Sequence, residues 1–197
     1  MIESTITNNL LILSSDVLDI LQPQSIYQIG SSTIPFITHA RDTDLLIYSK
    51  NSNLTECRHC VRQLNTPYDI HITSTKNPRV TAYPHLFHYA KLLWGDAAES
   101  ADLLNDKILQ QDSLQYWLPL VMRPQTFKRL YHIQIILSVL QRGSYSLNDE
   151  DIQNINLLHS FDKSTDPSLV EQWRHRIYNS ILDVAQQYNI NLNGAAI

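Results

Sequence analysis

The stretch "QIGSSTIPFITHARDTDLLIY", residues 28–48, sets a glycine-serine pair and two aspartates against what otherwise reads as buried strand. Asp42 and Asp44 stand one residue apart, and the run they open, "DTDLLIYS" (42–49), is apolar after its second aspartate. A carboxylate at the mouth of an apolar strand costs free energy unless something cationic compensates it. Residues two apart on a strand point to the same face, so Asp42 and Asp44 project together and can share a divalent cation.

Outward from this stretch, "SIYQIG" (25–30) and "YDIHIT" (68–73) also read as strands, being short and rich in Ile and Tyr. Alternation along the second puts Asp69, His71 and Thr73 on one face and Tyr68, Ile70 and Ile72 on the other. If this strand pairs with 42–49, Asp69 becomes a third carboxylate. Residues 5–21 carry Ile6, Leu10, Leu13, Val17, Leu18 and Leu21 at helical spacing, and 53–64 suit a short helix between the second and third strands.

After Pro84 the pattern becomes helical. "PHLFHYAKLLWG" reads as one helix from its proline to its glycine, with no strand expected beyond it. Pro119 and Pro124 end one helix and begin another, which closes at Gly143. "SLNDEDI" and the pair Asp166-Pro167 cap two more, the last running to about Tyr188. The expected fold class is α+β, a small mixed-sheet lobe over residues 1–95 followed by a helical bundle over 96–197.

Bulk composition narrows the function. The 197 residues are 43% apolar and 17% charged with four glycines, an ordinary globular composition. Net charge is −4, with seven Lys/Arg against seven Asp/Glu in residues 1–95 and eight against twelve beyond. An acidic second half disfavours duplex nucleic acid, because phosphate neutralisation supplies most of that affinity. No stretch reads as a signal peptide or membrane span, and the two cysteines, Cys57 and Cys60, form no crosslinking framework, so the expected address is cytoplasmic. Cys57, His59 and Cys60 have zinc-ligand chemistry, but no second ligand pair follows at suitable spacing and helix packing is the simpler reading.

Three acidic groups around Mg²⁺ suit phosphoryl or nucleotidyl transfer, where charge must be neutralised and an attacking hydroxyl oriented. Gly30 and Ser31 directly follow the first strand, and a glycine there lets backbone come close to phosphate. Lys76, Arg79 and Lys91 follow the third strand within reach of a triphosphate, Lys91 being the preferred phosphate partner because its helix comes next. Arg79 and His85 share a spacing seen in some helical ribonucleases, but Pro84 interrupts it. Glu99, Asp102 and Asp106 make an acidic stripe at helical spacing, read as a solvated face.

Gly30-Ser31, ten intervening residues, Asp42-Thr43-Asp44-Leu45 and a later strand bearing Asp69 together resemble the DNA polymerase β-like nucleotidyltransferase superfamily. The resemblance covers roughly residues 25 to 75, and the helices after it are similar in architecture to those of aminoglycoside nucleotidyltransferases. It departs where Ser32, Thr33, Ile34 and Pro35 follow the Gly-Ser pair, since many minimal members carry arginine or glycine there. The resemblance implies that Gly30 and Ser31 bind nucleotide phosphates, that Asp42, Asp44 and Asp69 bind Mg²⁺, or Mn²⁺ in its place, and that Asp69 also positions the acceptor hydroxyl. The expected activity moves a nucleoside monophosphate, AMP before others, from an NTP to a hydroxyl of a small molecule, a protein or an RNA end. The alternative is an antitoxin-like or regulatory module that binds nucleotide with little turnover; a third reading is an interaction protein whose helices do the binding.

Overall fold

The computed structural model describes residues 13–40, 42–74, 82–97 and 101–192. They form an α+β protein with a four-stranded mixed sheet and a helical C-terminal part. Two compact units divide the chain: residues 1–35, 39–78 and 89–100 make the first, and 36–38, 79–88 and 101–197 the second. The backbone thus passes between the units more than once.

In the first unit the strands are β1 (Pro23–Ile29), β2 (Asp44–Ser49), β3 (Asp69–Thr73) and β4 (Lys91–Gly95), in sheet order β3-β2-β1-β4. β1 runs antiparallel to β2 and β4, whereas β2 and β3 are parallel. Parallel neighbours need a crossover, and helix α2 (Leu54–Arg62) supplies it. Asn53 starts that helix by accepting the Glu56 N–H at 3.2 Å. Helix α1 (Ser15–Leu21) precedes the sheet, capped by Ser14, and the part of the expected first helix before Leu13 lies outside the described residues.

One face of the sheet builds the core of this unit. Ile26, Leu45, Ile47 and Ile72 pack with Leu13 and Leu21, and with Cys57 and Val61 of α2. Cys57 is therefore a core residue, and its thiol donates to the Ile20 carbonyl at 3.6 Å. Burial pushes the Cys60 thiol up, with Cys57 and Glu56 adding to it, while His59 is exposed. The packing reading of "ECRHC" is what the helix adopts.

The expected helix from Pro84 to Gly95 is replaced by a five-residue helix, α3 (Pro84–His88), and by strand β4. Leu92, Leu93 and Trp94 satisfy either periodicity, and pairing with β1 decides between them. Gly95 ends a strand, not a helix: at φ +82°, a Cβ on it would strike the Gln24 carbonyl oxygen of β1. Lys91 accordingly sits on an edge strand, where it pairs with Gln28. Register puts Lys91 on the same face as Gln28 and Leu45, opposite the face that carries Asp44.

The second unit holds α3, α4 (Lys107–Val121), α5 (Leu130–Arg142), α6 (Asp149–Ser160) and α7 (Pro167–Gln187). Pro119 lies inside α4 without ending it, because it falls in the last turn; Pro124 opens a 3-10 turn to Arg129, after which α5 begins. Gly143 closes α5 in the left-handed conformation, φ +60°. Asn148 and Asp166 cap α6 and α7, with Pro167 in the first turn of α7. Helix α5 is the centre of this core, with Ile133, Ile135, Ile136, Leu137, Val139 and Leu140 all fully buried. Asp151 of α6 is held against it by the Ser138 hydroxyl at 3.0 Å and by Arg142 Nε. Asp102 and Asp106 are not on a helix: Asp106 is the N-cap of α4, and Asp102 accepts from Asn105, which holds its carboxyl below the usual range. Glu99 lies outside the described residues, as do Lys76 and Arg79.

Between α3 and α5 two histidines share one hydrogen bond, His85 Nε2 to His132 Nδ1 at 2.8 Å. His85 Nδ1 is buried without a partner among the described residues. An orphaned lone pair is the lesser cost compared with an orphaned N–H, so the favoured tautomer has His85 Nε2–H donating to His132. Desolvation pushes His85 down to about 3 and His132 well below its ordinary value, with the neighbouring His85 and Arg129 adding to the latter. Both rings are thus neutral when folded and charge only when the unit opens. Stability is fully present above the unfolded value of 6.5 and is lost as pH falls from there toward about 3. His85 adds a slope of about 1.4 kcal/mol per pH unit in that window, and His132 acts in the same direction. Urea unfolding followed by helical circular dichroism should show this acid slope, and the double variant His85→Phe/His132→Phe should flatten it. An unchanged slope in a folded double variant would remove the pair as its cause.

Candidate functional site

The site is built where β1 ends and where β2 and β3 begin. Parallel register places Asp44 opposite Asp69, and the Asp69 N–H donates to the Thr43 carbonyl at 3.1 Å. The expected pairing of the two strands is present, and it brings these two carboxylates side by side. His71, two residues along the same face of β3, joins them: its Nε2 lies 3.4 Å from Asp44 Oδ1 and 3.6 Å from Asp69 Oδ2. One donor atom from each of the three falls within 4.8 Å of the others, a grouping of the kind that could hold a metal ion.

Asp44 is shielded and Asp69 open, their side chains being 20% and 61% exposed. The difference follows from the sheet order: β2 is flanked on both sides, while β3 is the edge. Every residue of β2 after Asp44 is buried, so the aspartate stands at the rim of an apolar strand, as its sequence context implies.

Gly30 explains why a glycine follows β1. Its backbone takes φ +85° and ψ −168°, a region essentially reserved for glycine. A Cβ there would overlap Asp44 Oδ2 and stand 2.9 Å from Asp44 Cγ. The carboxylate lies directly against the glycine. Residues Ser31–Thr33 continue as a 3-10 turn, tied down by the Thr33 hydroxyl donating to the Gly30 carbonyl at 2.9 Å. Gln28 Nε2 donates to Ser32 Oγ at 3.2 Å and further braces the turn, within which Ser31 is buried.

Of the residues singled out in the sequence, Gly30, Ser31, Asp44 and Asp69 converge here. Asp42 does not join the cluster: β2 begins at Asp44, so Asp42 is exposed in the preceding loop and strand alternation does not govern it. Lys91 does not join it either, for the reason of face given above. His71 does, and the alternation of "YDIHIT" already placed it on the Asp69 face. What the sequence left unsaid was that an imidazole there could be a ligand.

No protein-family model, curated protein or solved structure gives a significant match to this chain. Among the described residues no helix is long and apolar enough to cross a membrane.

The contact between Gly30 and Asp44 is testable by a double-mutant cycle. Gly30→Ala should cost about 1–3 kcal/mol from its backbone conformation alone, with the overlap added to that. Asp44→Ala should relieve the overlap, so the double variant should be more stable than the two single losses predict, by about 1 kcal/mol or more. Additive losses in urea titrations would show that the two residues do not press on each other.

Proposed function

We propose that this protein is a nucleotidyltransferase dependent on a divalent cation, moving a nucleoside monophosphate from an NTP, ATP before others, to a hydroxyl acceptor and releasing pyrophosphate. The observation that carries the reading is the placement of Asp44 against Gly30 and beside Asp69, at the adjoining ends of three strands. It joins the two halves of the sequence resemblance, the Gly-Ser pair and the carboxylates, in one spot. The antiparallel β1–β2 pair and the parallel β2–β3 crossover through α2 are what make that possible.

The carboxylate pair fits a hard divalent cation, since both donors are anionic oxygens on neighbouring strands. Such a cation, Mg²⁺ or Mn²⁺, would neutralise triphosphate charge and make the acceptor hydroxyl easier to deprotonate. Asp44, shielded and braced by Gly30, would be the fixed ligand. Asp69, on the open edge strand, would face the acceptor and receive or orient its proton at a carboxylate oxygen. Gly30 and Ser31 would lie along the phosphates, offering the backbone N–H groups of the turn that follows β1. The reaction forms a bond from the acceptor oxygen to the α-phosphorus and breaks the bond from that phosphorus to the bridging oxygen of pyrophosphate.

A second reading has its own support. Two carboxylates converge where the motif carries three, which suits a regulatory or antitoxin-like module that binds an NTP and cation with little turnover. Asp69→Asn separates the two readings. For an enzyme, NTP binding should stay within a fewfold of the parent while transfer from α-labelled NTP falls by roughly 10² or more. Parental transfer rates in the variant would make Asp69 a structural strand residue. Cation-dependent NTP binding with no transfer by the parent to small-molecule, protein or RNA acceptors would favour the regulatory module.

A further inference from the structure

We propose that His71 is a third ligand of the cation, and that the site it forms with Asp44 and Asp69 prefers first-row transition cations such as Mn²⁺ and Co²⁺ to Mg²⁺. The inference deepens the metal reading above and rests on its Asp44–Asp69 pair, not on nucleotidyl transfer. It starts from spacing. His71 Nε2 stands 3.4 Å from one carboxylate oxygen and 3.6 Å from another, contributed by different strands. The first is a long hydrogen bond and both are ion-pair contacts, each beyond the roughly 2.7–3.2 Å of a well-formed N–H···O bond. They match instead the distance between neighbouring donors around one cation. Donors held about 2.1 Å from a metal stand about 3.0 Å apart in octahedral and about 3.4 Å apart in tetrahedral coordination.

The ordinary alternative is a histidine drawn to two carboxylates at a surface. Two features weigh against it. The three residues occupy one face of a paired register, Asp44 opposite Asp69 and Leu46 opposite His71, so strand pairing sets their three backbone positions together. Asp44, for its part, is positioned by its contact with Gly30, a glycine whose conformation other residues rarely adopt. The donor set then decides the ion. Mg²⁺ takes oxygen ligands and keeps its waters, whereas an imidazole nitrogen suits later first-row ions. One nitrogen with two carboxylates therefore shifts preference away from Mg²⁺.

The test uses the full-length, untagged protein without nucleotide. Calorimetry with Mn²⁺, Co²⁺ and Mg²⁺ should give affinities for the first two at least about tenfold above that for Mg²⁺. In His71→Ala, Mn²⁺ and Co²⁺ affinity should drop about tenfold or more while Mg²⁺ affinity stays within a fewfold. Pulsed electron paramagnetic resonance of bound Mn²⁺ should show modulation from one imidazole nitrogen, absent in His71→Ala. The Asp44→Asn/Asp69→Asn variant should lose the bound Mn²⁺ itself, which separates this site from other histidines. Mn²⁺ bound through Asp44 and Asp69 without nitrogen modulation would overturn the role of His71 and leave the carboxylate site standing. No binding of any of the three cations would overturn both.

Discussion

A carboxylate resting on a glycine is the contact from which the first unit's chemistry follows. Residue 30 cannot carry a Cβ without overlapping Asp44, and its backbone already occupies a region that other residues rarely adopt. The end of β1 and the start of β2 are thereby set against each other. Once Asp44 is placed, parallel pairing puts Asp69 beside it and His71 one repeat further on. Three polar groups from two strands meet at the rim of the sheet, beside the buried run of β2.

Such a cluster can exist only because the strand behind it is so well buried. From Leu45 to Ser49 β2 is buried, and Asp44 at its start is the one residue of the strand that is not. Crowding two carboxylates there is unfavourable in the free protein. His71 Nε2 stands beside both, 3.4 Å from one carboxylate and 3.6 Å from the other.

The helical unit meets the same problem of buried polarity by a different route. Asp151 is buried because Ser138, Arg142 and the α6 cap satisfy it, whereas His85 and His132 are buried because each stays neutral. Desolvation dominates for the histidines, and specific donors dominate for the aspartate. Asp151 ties α6, and the His85–His132 bond ties α3, to α5, whose seven fully buried aliphatic residues form the centre of that core.

Much of this was readable in the residues. The Gly-Ser pair, the apolar run after Asp44, the short helix within 53–64 and the shared face of Asp69 and His71 all follow from local rules of spacing and alternation. The helix caps at Asn148 and Asp166 were equally plain, because a cap is satisfied within a few residues of itself. Other features needed the folded chain. "KLLWG" fits a helix or a strand, and only the free edge of β1 made it β4, carrying Lys91 to the face away from the carboxylates. Alternation says which residues of a strand share a face but not where the strand begins, so it grouped Asp42 with Asp44, while the pairing with β3 started β2 at Asp44. Sequence by itself determined which side chains could bear chemistry and which face each would take within its own element. Tertiary structure decided which elements became neighbours, because strand partners are chosen by long-range hydrogen bonding and core packing that no local pattern encodes.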